Sequence, residues 1–149
     1  VTDTALDPSA LSGLELLRAL TAAGEQRPNI GALLGMTVER LDPGEVVFAL
    51  RTRPDFANPL GITHGGICAT ILDSVMGCAV HTTLEAGIGY TTLELKVNYI
   101  RAVSVDDRAL TATGTVVHAG RRTATAEGKV VDEQGRLVAH ATTTCLILR

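Results

Sequence analysis

Tryptophan is absent from this 149-residue chain, and tyrosine and phenylalanine number two each, so aromatic residues make up only 3% of it. Stacking platforms for bases or sugar rings need aromatic side chains, and the sequence has little material for one. An excess of one charge sign is also missing: 13 Lys and Arg against 16 Asp and Glu give a formal net charge of -3. No general basic field therefore advertises a nucleic-acid or membrane partner, and an acidic small molecule would need a local basic patch. No run reaches the ~18 consecutive apolar residues of a membrane span, and the first residues lack the basic start and apolar stretch of a secretory signal. The expectation is a soluble protein of the cytoplasm.

Cysteine is scarce as well. Cys68, Cys78 and Cys145 are odd in number, form no CxxC pair and sit inside apolar runs, which reads as reduced, buried thiols rather than disulfides or a metal site. His81, His118 and His140 show no metal spacing and are read as surface or strand residues. Neither a GxSxG elbow nor a GxxxxGK[ST] loop occurs, which disfavours a serine hydrolase of that type and a P-loop enzyme. No metal and no cofactor are expected.

What the chain does have is aliphatic material: 46% of its residues are hydrophobic, enough for one core in a chain of this length. Leucines between Pro8 and Glu25 recur at helical spacing and predict a leading helix, with Asn29 to Leu34 as a lid or brace. A Pro43-Gly44 turn divides Met36 to Thr52 into a hairpin, and Pro54 to Thr63 is a loop. From His64 to about Thr82 apolar residues cover a broad face, predicting a largely buried helix closed by Gly87 and Gly89. In Thr92 to Ile100, Leu93, Leu95, Val97 and Tyr99 alternate with polar residues, as on a strand with one buried face. Three further strands follow, near Arg108 to His118, Arg122 to Val131 and Leu137 to Leu148. The fold class expected is α+β, with an antiparallel sheet covering a single helix, a helical extension over 1–28 and the main domain over 29–149.

Chemistry concentrates in Asn58-Pro59-Leu60-Gly61-Ile62-Thr63-His64-Gly65-Gly66 and in Asp73, seven residues after the last glycine. Two glycines opening a helix, each costing up to ~1 kcal/mol relative to alanine, serve either close approach by a ligand or tight packing of loop on helix. An N-terminal N–H, with Gly65 the candidate, suits a polarised carbonyl or an oxyanion. Asp73 interrupts an apolar run, and a buried carboxylate is costly unless paired or used. It shares a stripe of small or polar side chains with Gly66, Thr70 and Gly77. It is either a catalytic acid or an Asp held by local hydrogen bonds. His64 either caps the helix or contacts a substrate, and Asn58 is either a turn residue or an amide that orients a water. Arg121 and Arg122, beside a turn glycine, suit phosphates or are solvated turn charges.

Asn58 to Asp73, taken with Thr92-Leu93-Glu94-Leu95-Lys96-Val97-Asn98-Tyr99, resembles the hotdog-fold acyl-CoA thioesterases of the phenylacetate-pathway and 4-hydroxybenzoyl-CoA type. The resemblance covers about Asn29 to Leu148. It implies one long central helix wrapped by an antiparallel sheet, a homodimer assembled further into a homotetramer, and an acyl-CoA substrate. It also implies a site at the dimer interface, with Asp73 from one subunit and Gly65, His64 and Asn58 from its partner. A Ser or Thr at the start of the strand after the helix completes the family's set; Thr92 is the better match by spacing and Thr91 the other candidate. Gly66 and Thr91, with Arg121 and Arg122, are assigned to substrate binding, with the arginines on the coenzyme A phosphates.

Two other activities fit parts of this pattern: a hotdog hydratase or dehydratase, and a non-catalytic acyl-CoA sensor. The spacing from the glycine pair to Asp73 favours hydrolysis. Residues 1 to 30, with four acidic and two basic residues, are too few and too acidic for a DNA-recognition module.

Overall fold

The computed structural model describes residues 7–24 and 28–149. Helix α1 (Gly13–Ala23) starts five residues later than the leucine spacing predicts, because Ser12 and Glu15 form a reciprocal capping box there. Pro8–Ala10 ahead of it is a separate 3-10 turn capped by Asp7. Gly24, at φ 61°, ends the helix in the left-handed conformation, and Glu25 lies outside the described residues. Helix α2 (Ile30–Leu34), capped by Asn29, occupies the segment expected to act as a brace.

Strands β1 (Thr37–Asp42) and β2 (Glu45–Arg51) form the expected hairpin. Helix α3 (Gly65–His81) follows, then β3 (Gly89–Tyr99), β4 (Ala109–Ala119), β5 (Thr123–Asp132) and β6 (Leu137–Leu148). Helix α3 ends at His81, next to the expected end at about Thr82, but it is closed by threonines rather than by the glycines: Thr82 and Thr83 turn their hydroxyls back onto the carbonyls of Ala79 and Val80 and take up its last acceptors. The six strands form one antiparallel sheet in the order β1-β2-β4-β5-β6-β3. Strand β3, first after the helix, thus pairs with β6 at the far edge, while β4 pairs with β2. The β3–β4 connection crosses beneath the start of α3, tied to it by Thr63 N–H donating to Val103 O at 2.8 Å.

The sheet's inner face is lined with small residues, Ala112, Gly114, Ala124, Ala126, Gly128 and Ala141 among them, and these make a trough for α3. Helix side chains Ile71, Leu72, Val75, Met76, Ala79 and Val80 are fully excluded from solvent there. At Gly114 the fit is backbone on backbone, since an added Cβ would lie 2.4 Å from the carbonyl of Val75. At the other end Gly13 lets α1 sit on the end of α3, with its N–H donating to Leu84 O at 3.0 Å, and Arg18 donates to Leu41 O of β1.

Two inward positions expected on β3 are not inward. The β3–β6 register shifts between Thr92 and Glu94, so Leu93 is an extra residue in a bulge. The bulge reverses the alternation: Leu93 points out, 56% exposed, while Thr92 and Tyr90 turn toward the helix. Tyr99 is likewise 56% exposed, with its ring against Gly65.

Because the Gly114 contact is with helix backbone, relief requires moving the helix. Gly114→Ala should lower unfolding stability by about 1–3 kcal/mol, the usual cost of overpacking. Urea titration checks this, and an unchanged midpoint would mean that the trough is looser than described.

Candidate active site

The start of α3 is built by its own loop. The His64 side chain caps the helix, its Nδ1 accepting from Gly66 N–H at 2.9 Å, which leaves the ring proton on Nε2. The Asn58 side-chain oxygen accepts from the N–H groups of Leu60 and Ile62, at 2.9 and 3.3 Å, so Asn58 is a turn residue in this chain. Both glycines also make close contacts with neighbouring rings. A Cβ at Gly65 would lie 3.0 Å from the Tyr99 ring, and one at Gly66 would lie 2.9 Å from His64 Nδ1. The Gly65 N–H itself has no acceptor among the described residues, so a donor remains free at the positive end of a buried 17-residue helix. Asn58 and Gly65 line one cavity of about 280 Å³, closed by Tyr99, Ile100 and Val138.

Asp73 lies elsewhere. It is half-buried on α3 and its Oδ1 accepts from Thr92 Oγ1 at 2.9 Å. The β3 bulge makes that bond possible, whereas Thr91, on the opposite face, is exposed. Asp73 and Thr92 line a larger cavity of about 600 Å³ together with Leu17 and Leu20 of α1, Met36 and Phe48. Thr70, in the predicted stripe, bonds back to Gly66 O. Eight residues separate Gly65 from Asp73 along α3, about 12 Å at 1.5 Å per residue. Within one chain, then, the structure brings Asp73 and Thr92 together, and separately Asn58, His64, Gly65 and Gly66, but not the two groups.

Arg121 and Arg122 are exposed at the β4–β5 turn, and neither has an ion-pair partner among the described residues. Ala124, just beyond the turn, pairs with Cys145, which pairs in turn with Thr92. Ala124 thus lies roughly 10 Å from Thr92 across two strand spacings, with the arginines two and three residues beyond it at the same end of the sheet. Tyr90 and Cys78 also face the larger cavity; sequence reasoning missed Tyr90, because only the bulge reveals which way it points. His81, expected at the surface or on a strand, is instead half-buried on α3 against the Tyr90 ring, centroids 5.4 Å apart. Burial holds its pKa down.

Comparison with known proteins bears on this geometry. The model of the thioesterase superfamily matches residues 60–139, a span that opens in the loop before the glycine pair and contains Asp73, Thr92, strands β3 to β5 and the start of β6. The chain belongs to the thioesterase superfamily. Human acyl-coenzyme A thioesterase 13 is 27% identical over 100 residues, covering 66% of this chain and 68% of that protein. AziG of S. sahachiroi is 30% identical with a TM-score of 0.78, covering 82% of this chain and 98% of that one. The E. coli PaaI protein, from the phenylacetic acid degradation operon, is 20% identical with a TM-score of 0.80, covering 93% and 96%, and shares the fold. This thioesterase is a hotdog-fold thioester hydrolase, its sheet wrapped around α3 with a short helix at the N-terminal side. No helix among the described residues is long and apolar enough to cross a membrane.

The three thiols are free, as expected, with Cys68 and Cys145 buried and Cys78 half-buried. Burial pushes Cys68 up to about 11, and burial followed by the nearby Asp73 charge pushes Cys78 up to about 11. A thiol with that pKa is thiolate at only on the order of one part in a thousand at pH 8. Native protein should therefore resist a disulfide-exchange reagent such as DTNB at pH 8, and release three equivalents once denatured. Rapid native labelling of Cys78 would mean that it is not held as described.

Proposed function

We propose that this thioesterase hydrolyses an acyl-coenzyme A thioester to a free carboxylic acid and coenzyme A, at sites shared between the two protomers of a homodimer. The observation that carries the reading is the split of the site. A free helix-end N–H and a carboxylate supported by a hydroxyl lie on one helix, about 12 Å apart, too far to act on one carbonyl. A two-fold partner brings Gly65 of one copy to Asp73 of the other, and such pairing also covers the open outer edge of β3. Two such dimers would complete a tetramer.

In this mechanism the Gly65 N–H polarises the thioester carbonyl and holds the oxyanion that develops. Asp73 takes a proton from water as its oxygen attacks the carbonyl carbon, and Thr92 keeps the carboxylate oriented. The tetrahedral intermediate then expels coenzyme A thiolate, which takes up the proton held by Asp73. The Asn58 side-chain oxygen is committed to its own loop, so its amide nitrogen is the part left to place the water. Direct attack by Asp73 to form an anhydride uses the same residues. Gly66 borders the acyl thioester, Thr91 faces away from it on the other side of the sheet, and Arg121 and Arg122 take the coenzyme A phosphates. The apolar lining of the larger cavity takes the acyl group. Within the extension of residues 1–28, Leu17 and Leu20 of α1 wall this cavity against the domain of residues 29–149. Three reduced thiols fit the cytoplasm.

Asp73→Asn keeps the shape and removes the base. Turnover of the best acyl-CoA substrate, followed as free thiol released, should fall by on the order of 10²–10⁴ while the oligomer stays folded. Near-normal turnover would end the assignment and make Glu94 the next carboxylate to test. Arg121→Ala with Arg122→Ala should mainly raise KM and flatten its salt dependence. An unchanged KM would make the pair ordinary surface charges.

A further inference from the structure

Tyr90 faces the same cavity as Asp73 and is not used in the mechanism above. The Leu93 bulge turns it inward together with Thr92, and its hydroxyl fills the space over Gly77, where an added Cβ would lie 2.7 Å from it. Gly77 is four residues beyond Asp73, about 6 Å of axial rise, which sets the phenol about one turn along α3 from the position of the carboxylate. Its hydroxyl is hydrogen-bonded to the Cys78 thiol, a weak partner, and the His81 ring lies against its own ring, centroids 5.4 Å apart. Burial, first of all, raises the phenol pKa, so the hydroxyl stays a neutral donor at working pH.

The surrounding wall is mostly apolar, with Leu17, Leu20, Met36 and Phe48. The other hydroxyls there are committed: Thr21 to Leu17 O, Thr37 to Glu39 and Thr92 to Asp73. Ser74 adjoins Asp73 in sequence and is too close to it to read a group one turn away. One turn from the carboxylate the cavity therefore holds a phenol donor whose partner is only a thiol, and a buried donor without a good acceptor is costly.

We propose that Tyr90 determines acyl specificity: its hydroxyl donates to an acceptor oxygen a few bonds beyond the thioester carbonyl, as in 3-hydroxyacyl and 3-oxoacyl thioesters. This rests on the hydrolase reading of the Asp73 site. An acyl chain lacking that oxygen leaves the phenol unmatched once water is expelled, whereas one carrying it satisfies the donor.

The test compares kcat/KM for 3-hydroxyhexanoyl-CoA and hexanoyl-CoA in wild type, Tyr90→Phe and Ser74→Ala, each checked for an unchanged circular dichroism spectrum and oligomer mass. Wild type should favour the hydroxylated substrate by about tenfold, and Tyr90→Phe should remove most of that ratio while Ser74→Ala retains it. The same ratio in wild type and Tyr90→Phe would overturn the inference, as would loss of the ratio in Ser74→Ala alone. Either result leaves hydrolysis at Asp73 standing, because Asp73→Asn tests that separately. Failure of wild type to hydrolyse any acyl-CoA would remove both readings.

Discussion

The contact between the backbone of α3 at Val75 and the bare Cα of Gly114 sets how deep the helix lies in the sheet, and every group in the site takes its position from that depth. Gly114, Gly128 and the alanines around them remove the side chains that would hold helix and sheet apart. Dispersion and apolar burial then act over the whole face of α3. A helix this enclosed can carry a carboxylate only where the wall is interrupted, and Asp73 sits where the β3 bulge presents Thr92. The cavity beside it is bounded by α1, which Gly13 allows to close onto the end of α3.

Much of this was legible in the sequence because it rests on local rules. The helix from Gly65 was marked by its apolar period, the strands by alternation and turn residues, and the glycine-rich loop with Asp73 by spacing. What was not legible depended on nonlocal fit. Alternation alone put Leu93 and Tyr99 inside, and one extra residue in the β3–β6 ladder moved Leu93 out and Thr92 and Tyr90 in. The place of β3 beside β6 is likewise set by how the chain returns under α3, which no local pattern encodes. The glycine pair shows both effects together: Tyr99 and the His64 ring lie close against Gly65 and Gly66, and the same arrangement leaves the Gly65 N–H free.

The polar groups of the larger cavity are graded by their partners. Asp73 has a hydroxyl donor, Cys78 is a thiol held protonated by burial and by the carboxylate near it, and Tyr90 is a neutral donor whose hydroxyl bonds that thiol. The thiol and the phenol are both held protonated, which is why the proposed chemistry assigns proton transfer to Asp73 and leaves Tyr90 to recognise the acyl group.

The central claim is that the two halves of the site, separated by about 12 Å along one helix, meet across a protomer boundary. Gly65→Pro removes the proposed donor while suiting the first helical position; the Tyr99 ring, 3.0 Å from an added Cβ, is at the end of a 56% exposed side chain that can turn aside, and His64, at φ -61° and ψ 134°, already has the backbone that a following proline favours. Gly65→Pro and Asp73→Asn protein should each be inactive alone. Refolded together, they should regain roughly a quarter of wild-type thiol release, since half of statistically mixed dimers are hybrids with one intact site of two. No recovery, with hybrid dimers verified by native mass spectrometry, would contradict the shared site.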